Sequence, residues 1–212
     1  MKTTLAIFAV VALFIAGVFT WQSDATTRNQ TGSPTVKIIL TKGHGSGVYI
    51  GGGLILTVAH VVDNSTDGTV KIKTESGNIL PGVVLWSSKA RDVALVQVTG
   101  TLGLRPARLS CTTPQIGDAI HARGNPLSIE FFSAWGHVAT SLRKVDPWLE
   151  AVGTDMTVLP GMSGGPVFGS DGAVVGIAVG VMIAQVGFGS MSLTGATLIV
   201  PGSTICPLLG RA

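Results

Sequence analysis

The sequence predicts an all-β protein, and three observations support this prediction. Charged residues make up 12% of the chain, about half of the share usual in globular domains. Glycine occurs 29 times in 212 residues, about double its usual share of ~7%. From Thr35 onward, short apolar runs rich in valine and isoleucine alternate with turn signals, and no long amphipathic pattern interrupts them. About a dozen such runs, divided evenly around residues 101–110, predict two six-stranded antiparallel β-barrels with a cleft between them.

The predicted strands fall into two sets. In the first barrel, about residues 35–100, the apolar runs lie at 36–40, 48–50, 54–62, 69–74, 78–86 and 92–98. In the second barrel, about residues 111–202, they lie at 118–123, 129–140, 148–154, 166–169, 173–181 and 196–200. The last residues predict a short helix that begins at a capping Ser203 and is limited by Pro207.

The first 34 residues precede the predicted β domain, which spans residues 35–212. Residues 1–21 combine Lys2 with a long apolar run, which is the pattern of a secretory signal peptide or of an uncleaved signal anchor helix. The length of the run favours a membrane anchor, whereas the small residues at 23 and 25 favour cleavage. Residues 22–34 are polar and predict a flexible linker. Both alternatives place the domain outside the cytoplasm, either anchored to the membrane or secreted or periplasmic after cleavage.

The distribution of charge argues against a nucleic-acid partner. The formal net charge is only +3, and the lysine and arginine residues are scattered along the chain. Proteins that bind phosphate backbones concentrate positive charge on one face. His121 and His137 lie on predicted strands without the spacing of metal ligands, so we expect them to be structural and expect no metal site.

The hexapeptide 161–166, GMSGGP, contains the strongest candidate for chemistry. A serine flanked by glycines has little steric cover, and such a turn can expose the hydroxyl of Ser163. The same turn can direct the N–H groups of Gly161 and Ser163 at one point, as the donors of an oxyanion hole do. A tight turn between two strands is the structural alternative. A serine hydroxyl is a weak nucleophile, so the catalytic interpretation requires a base and an orienting acid elsewhere.

His60 and Asp92 supply these two groups in the first half of the chain. Each alone has an ordinary structural explanation, as a core histidine or as an aspartate at the entry of a strand. Two barrels packed together would bring both to a cleft beside Ser163, and clefts of this kind often hold sites. All four histidines precede Ser163, which excludes the α/β-hydrolase interpretation of the turn because that fold takes its histidine from after the serine.

Four stretches of the sequence, with these residues in the order His, Asp, Ser, resemble trypsin-like serine proteases, and within them the HtrA/Deg branch. These stretches are residues 45–62, 90–98, 124–128 and 153–180. The resemblance implies two barrels of the chymotrypsin type with the active site in the cleft. It implies that His60 is the general base, that Asp92 orients it, and that Ser163 is the nucleophile, with Gly161 and Ser163 as the oxyanion hole. The implied activity is hydrolysis of peptide bonds through an acyl-enzyme, without a cofactor.

Two departures from the pattern lead to further expectations. The sequence ends at Ala212 without the PDZ domain that follows the protease domain in the HtrA branch, so we expect no peptide-sensing regulation of that kind. Digestive relatives carry an aspartate just before the nucleophile, where this chain has Met162. Because methionine cannot form an ion pair with a new amino terminus, we expect no activation by zymogen cleavage.

The residues around the nucleophile predict a small apolar pocket. Thr157 occupies the position of the acid that selects basic residues in trypsin. Val158 and the strand residues Ala178, Val179 and Gly180 form the expected walls. We therefore expect cleavage after valine, alanine or isoleucine, with the substrate backbone added as a β-strand alongside residues 177–180.

The remaining polar residues leave alternatives open. Cys111 and Cys206 form an even pair in an exported protein and predict either a disulfide or two buried thiols. His44 is expected near the cleft, where it either contacts the substrate or is an exposed loop residue. A catalytically silent protein-binding or chaperone module is the alternative to a protease, and an esterase is a further one. The expected partners are extended or unfolded polypeptides, with a homo-oligomer also compatible with the sequence.

Overall fold

Strands dominate both halves of the chain, as predicted. The computed structural model describes residues 32–100, 103–187 and 189–211, and residues 33–212 form one compact unit. The predicted signal segment 1–21 and most of the predicted linker 22–34 lie outside the described residues. Among the described residues, no helix has both the length and the apolar character needed to cross a bilayer.

The first barrel is closed and contains six antiparallel strands in the order β1-β2-β3-β6-β5-β4. The strands are β1 (Thr35–Ile39), β2 (His44–Gly51), β3 (Leu54–Thr57), β4 (Thr69–Thr74), β5 (Ile79–Ser88) and β6 (Val93–Val98). Side chains alternate between the inside and the outside of the barrel. In β4, Val70 and Ile72 are buried while Thr69 and Lys71 are exposed, so that one face of each strand points into a common apolar core. The prediction of a six-stranded barrel is confirmed.

The predicted strand 54–62 ends early and turns into a short helix. Strand β3 stops at Thr57, and residues Ala59–Val62 form helix α1. Val61 of this helix packs against Gly45 of β2, where a β-carbon would lie 2.6 Å from the valine side chain. A short apolar run fits a buried helix turn as well as a strand, which is why its periodicity alone did not distinguish the two.

The second half forms a seven-stranded sheet in the order β8-β7-β11-β12-β13-β10-β9. The strands are β7 (Ala119–Gly124), β8 (Phe132–His137), β9 (Arg143–Val145), β10 (Trp148–Thr154), β11 (Pro166–Gly169), β12 (Val174–Val186) and β13 (Ser190–Pro201). An isolated bridge between Val138 and Thr154 joins the ends of β8 and β10, so that six of the strands form a ring. The additional strand, β9, is polar and short, and no apolar run in the sequence predicted it.

Helix α2, Gly202–Leu208, follows β13 directly. The predicted cap at Ser203 is wrong: the helix begins after Pro201, and no side chain caps it. The Ser203 hydroxyl lies instead 2.6 Å from the hydroxyl of Thr113. A disulfide joins Cys206 of α2 to Cys111, with 5.5 Å between the two Cα atoms.

Candidate active site

His60 and Asp92 form a two-point contact at one end of the first barrel. The Nδ1 atom of His60, on α1, lies 2.7 Å from Oδ2 of Asp92. The backbone N–H of His60 donates to Oδ1 of the same carboxylate at 2.9 Å. Because ring and backbone both bind one carboxylate, the imidazole is fixed in orientation, and its Nε2 edge remains free to point away from Asp92. The His60 side chain is 47% exposed and that of Asp92 only 8%.

The Asp92 carboxylate is held in its ionised form. Burial opposes the charge, but hydrogen bonds from His60 and Trp148, together with the charge of His60, outweigh it and hold the pKa of Asp92 below its usual value. The backbone of Asp92 has φ of 51°, in the left-handed region that aspartate tolerates better than most residues. A carboxylate that stays charged suits the orientation and stabilisation of a neighbouring imidazolium.

The turn that carries Ser163 lies against strands β2 and β3 of the first barrel. The Ser163 carbonyl accepts a hydrogen bond from the backbone N–H of Ser46 at 2.8 Å. At Gly164, a β-carbon would overlap the hydroxyl of Thr57, three residues before His60 in the chain. Only glycine at position 164 therefore allows the turn to approach this segment so closely.

The structure thus brings His60 and Asp92 into contact and places Ser163 on the adjoining segment. In the part of the chain that the structure describes, no hydrogen bond joins the His60 ring to the Ser163 hydroxyl. Hydrogen bonds between catalytic groups are often long in free enzymes and tighten only when the substrate binds.

The geometry at Gly161 fits an anion-binding turn. Its φ of 97° is available to glycine but strained for other residues. Its carbonyl accepts a hydrogen bond from the hydroxyl of Ser46 at 2.8 Å, and the preceding Pro160 carbonyl accepts one from the N–H of Leu127 at 3.0 Å. With both carbonyls held elsewhere, the N–H groups of Gly161 and Ser163 have no acceptor among the described residues.

A cavity of about 380 Å³ adjoins His60 and Asp92. Its walls include Val179 and Trp148. Of the other residues predicted to form the pocket, Val158 and Ala178 are buried among apolar side chains of the second barrel, Thr157 is exposed, and Gly180 lies next to the outer edge of the Trp148 ring. Strand β12 is bonded to the Ser163 turn as far as Ala178, whose carbonyl accepts the N–H of Gly164 at 2.7 Å.

Comparison with known proteins places this arrangement in a family. The sequence model described as a trypsin-like peptidase domain matches residues 45–177. The chain belongs to the trypsin-like peptidase domain family. This match includes His60, Asp92 and Ser163 and the first-barrel strands β3 to β6, and it confirms the resemblance that the sequence motifs indicate.

Three relatives agree with the HtrA/Deg resemblance in their names. The chain is 32% identical to the putative serine protease HhoA of Synechocystis, over 69% of this chain and 39% of the relative. It is 32% identical to the putative protease Do-like 14 of Arabidopsis thaliana, over 72% and 39%. It is 31% identical to a probable periplasmic serine endoprotease, DegP-like, of Pseudomonas savastanoi, over 72% and 32%. The chain therefore spans about two fifths or less of the length of these peptidases.

Several residues that support this candidate site were not predicted from the sequence. Asn125 is fully buried, and its backbone N–H and side-chain amide both donate to the Ser46 hydroxyl, at 2.9 and 3.1 Å. His44, expected to contact substrate or solvent, is half-buried with Nε2 only 2.8 Å from the Asn125 carbonyl. These residues lie in the glycine-rich stretch 43–47 and in the motif 124–128. Nothing in the sequence indicated that the two stretches contact each other next to Gly161.

The two histidines of the second half lie in different surroundings. His121 stacks on Phe168 with the ring centres 5.0 Å apart, and burial followed by the charge of Arg123 lowers the pKa of His121. His137 is exposed and lies 3.6 Å from the Asp155 carboxylate. Across the described ranges, no group of three or more His, Cys, Asp or Glu side chains has the arrangement of a metal site.

Proposed function

We propose that this chain is a serine endopeptidase in which Ser163 is the nucleophile, His60 the general base and Asp92 the orienting carboxylate. The observation that carries the proposal is the two-point contact between His60 and Asp92, at 2.7 and 2.9 Å, beside the segment on which the Ser163 turn rests. Membership of the trypsin-like peptidase domain family supports the same assignment.

The proposed reaction follows from these positions. The Ser163 hydroxyl attacks the carbonyl carbon of the scissile peptide while His60 takes the proton of the hydroxyl through Nε2. The negative oxygen that forms accepts hydrogen bonds from the N–H groups of Gly161 and Ser163. His60 then gives its proton to the leaving amine, and water hydrolyses the acyl-enzyme by the same steps. Throughout, Asp92 stays ionised and stabilises the positive charge that develops on the imidazole.

The proposed substrates are extended or unfolded polypeptide segments cleaved after small aliphatic residues. Residues 173–210, which include both long strands beside the site, contain no charged side chain. A substrate arginine or lysine would therefore find no counter-charge in this part of the second barrel, and burial of an unpaired charge is costly. Hydrolysis of a peptide library would test this preference, and cleavage chiefly after basic residues would contradict it.

We further propose that the peptidase acts outside the cytoplasm. The apolar segment 1–21 and the polar residues that follow it support export, and one relative carries the printed name periplasmic. The first residue of the mature protein shows whether the segment is cleaved or remains as a membrane anchor. Mass spectrometry of the protein from its native compartment would identify that residue. A mature chain found only in the cytoplasm would contradict export.

A fluorophosphonate probe tests the central proposal, because it forms a covalent bond only with an activated serine. We expect the native protein to be labelled and the variant Ser163→Ala to remain unlabelled and inactive. Ser170→Ala is the matched control, since Ser170 is an exposed serine in the turn after β11. Its labelling should equal that of the native protein.

The same experiment separates the alternatives. Absence of labelling in a folded native protein would favour a silent protein-binding module on the peptidase fold. Labelling of Ser163 with hydrolysis of esters, but not of peptides, would favour an esterase.

A further inference from the structure

Trp148 connects the second barrel to the carboxylate of the proposed catalytic pair. It is the first residue of β10, and its indole N–H donates to Oδ2 of Asp92 at 2.9 Å, across 56 positions of sequence. The residue is only partly exposed, and its ring forms part of the wall of the cavity beside His60. A tryptophan is suited to this place because it combines a large apolar body with one polar donor.

The Asp92 carboxylate receives three hydrogen bonds within the described chain. Its Oδ1 accepts the backbone N–H of His60, while Oδ2 accepts both the His60 ring and the Trp148 indole. Without the indole, Oδ2 would keep a single partner at a site where the side chain is 8% exposed. A buried anion with too few donors is costly, and it relieves the cost by rotating or by taking a proton.

The ring of Trp148 is itself held in place by the substrate-binding side of the site. At Gly180 of β12, a β-carbon would lie 2.6 Å from the outer edge of the indole, so that only glycine lets the ring approach the strand this closely. The neighbouring Val179 lines the same cavity. The indole therefore spans from β12 to Asp92, and its N–H is held in a fixed direction.

We propose that Trp148 is a positioning residue, whose indole N–H fixes the Asp92 carboxylate in the orientation that aligns His60. The proposal rests on the proposed hydrolytic function. Trp148 contacts neither the reacting serine nor the scissile bond in this scheme, and it acts through Asp92. It also makes the carboxylate sensitive to the backbone of β12 at Gly180, where a substrate strand would lie.

The variant Trp148→Phe tests the role of the N–H, since phenylalanine keeps an aromatic ring but has no donor. We expect kcat for a fluorogenic peptide to fall about 10- to 100-fold, the factor that corresponds to one hydrogen bond to a charged group. We expect KM to change by less than about threefold, because the lost interaction does not bind substrate. Trp135→Phe is the matched control, because Trp135 lies on β8 with 72% of its surface exposed, and both constants should be unchanged.

A second readout distinguishes positioning from packing. The proton between His60 Nδ1 and Asp92 Oδ2 should give a low-field NMR resonance, which reports on the geometry of that hydrogen bond. We expect this resonance to shift or broaden in Trp148→Phe and to stay in place in Trp135→Phe. If Trp148→Phe does not fold, 3-benzothienylalanine at position 148 replaces the N–H by sulfur within a ring of nearly the same shape.

The outcomes are separable from those of the hydrolytic proposal. Native kcat together with a native proton resonance in the folded phenylalanine or benzothienyl variant would overturn the role of Trp148, while fluorophosphonate labelling of Ser163 would still stand. If the native protein does not react with the probe, the hydrolytic proposal fails. The NMR resonance would then still decide whether the indole orients Asp92.

Discussion

The lack of a β-carbon at Gly161 matters for the backbone conformation of the turn, for its packing and for the proposed chemistry. Its φ is 97°, and a β-carbon there would overlap the Asn125 carbonyl and lie 2.6 Å from Nε2 of His44. Both of these groups belong to the hydrogen-bond network of His44, Ser46 and Asn125 that supports the turn. A side chain at this position would push the turn away from its support and rotate the two N–H groups that we propose as the oxyanion hole.

We therefore expect Gly161→Ala to lower kcat/KM by about 100-fold or more, the effect of losing an oxyanion donor. The measurement is hydrolysis of a fluorogenic peptide by folded protein. Gly172→Ala is the matched control, because Gly172 also has positive φ, 74°, but has nothing within 4 Å of its β-carbon position. Equal activity of the two variants would show that the turn tolerates a side chain and would contradict the assigned role.

At the residue scale, the sequence alone predicted a role for side chains that form a known catalytic combination. It did not predict the role of side chains that act through a particular hydrogen-bond partner. A histidine, an aspartate and a glycine-flanked serine in one order predict a contact, and the structure forms the contact between His60 and Asp92. Trp148 was assigned only to a strand, because the target of an indole N–H depends on which residue of the other barrel faces it. The network around Asn125 was missed for the same reason.

Helix α2 is attached to the second barrel by a covalent bond in addition to the packing of Ile205, which is fully buried in the apolar core. Cys206 of the helix, 1% exposed, is bonded to Cys111, which lies eight positions before Ala119, the first residue of β7. The bond closes a loop with a sequence separation of 95, from the beginning of the second half to its end. The closure of a loop of this length restricts the unfolded chain more than the folded one.

We expect the double variant Cys111→Ala/Cys206→Ala to lose about 4–5 kcal/mol of unfolding free energy, the amount that the chain-entropy model gives for a loop of about this length. Urea unfolding of the native and variant proteins measures the loss. Reductant should lower the stability of the native protein and leave the variant unaffected. Equal urea midpoints in the absence of reductant would contradict the prediction.

Among the elements, the sequence predicted the strands that contain clear apolar runs. It did not predict strand segments without such a run, which form only because a partner strand lies beside them. Strand β12 continues past its predicted end to Val186, and strand β13 begins before its predicted start, at Ser190. Residues 182–195, between the two predicted strands, contain several glycines and serines, a composition typical of loops. The segment is paired as a hairpin in the structure, with Ala184 opposite Ser192 and Gln185 opposite Met191. Cross-strand pairing of this kind depends on both strands and cannot be derived from either one.

At the scale of the whole molecule, the two halves are joined by a charged cluster as well as by the Ser163 turn. Glu130, between β7 and β8, binds Lys37 of β1 through Oε1 at 3.0 Å and Lys73 of β4 through Oε2 at 2.7 Å. Arg123 of β7 likewise binds Glu75, which follows β4. The sequence predicted the two halves but not these pairs, since scattered charges give no indication of which barrel surfaces face each other.

The cluster makes the stability of the molecule depend on pH in a defined direction. Hydrogen bonds from Lys73 and then Lys37 lower the pKa of Glu130 from its ordinary value of 4.5, against a smaller opposing effect of burial. A carboxyl group whose pKa is lower in the folded state stabilises that state at pH values above its ordinary pKa. This stabilisation is lost as the pH falls through the lowered pKa.

We therefore expect Glu130→Gln to lower the unfolding free energy by about 1 kcal/mol at pH 7, since glutamine keeps the shape of the side chain but not the charge that both lysines bind. The difference from the native protein should begin to shrink as the pH falls below about 4.5, the ordinary pKa of the carboxyl group, and should disappear below the lowered pKa, where the native carboxyl is neutral as well. Urea unfolding at pH 7 and at successively lower pH measures both effects. Asp171→Asn is the control, because its pair with Arg108 is exposed on both sides and its loss should leave stability unchanged at pH 7. A Glu130→Gln deficit that persists undiminished in acid would mean that the contact between the barrels depends on packing rather than on charge.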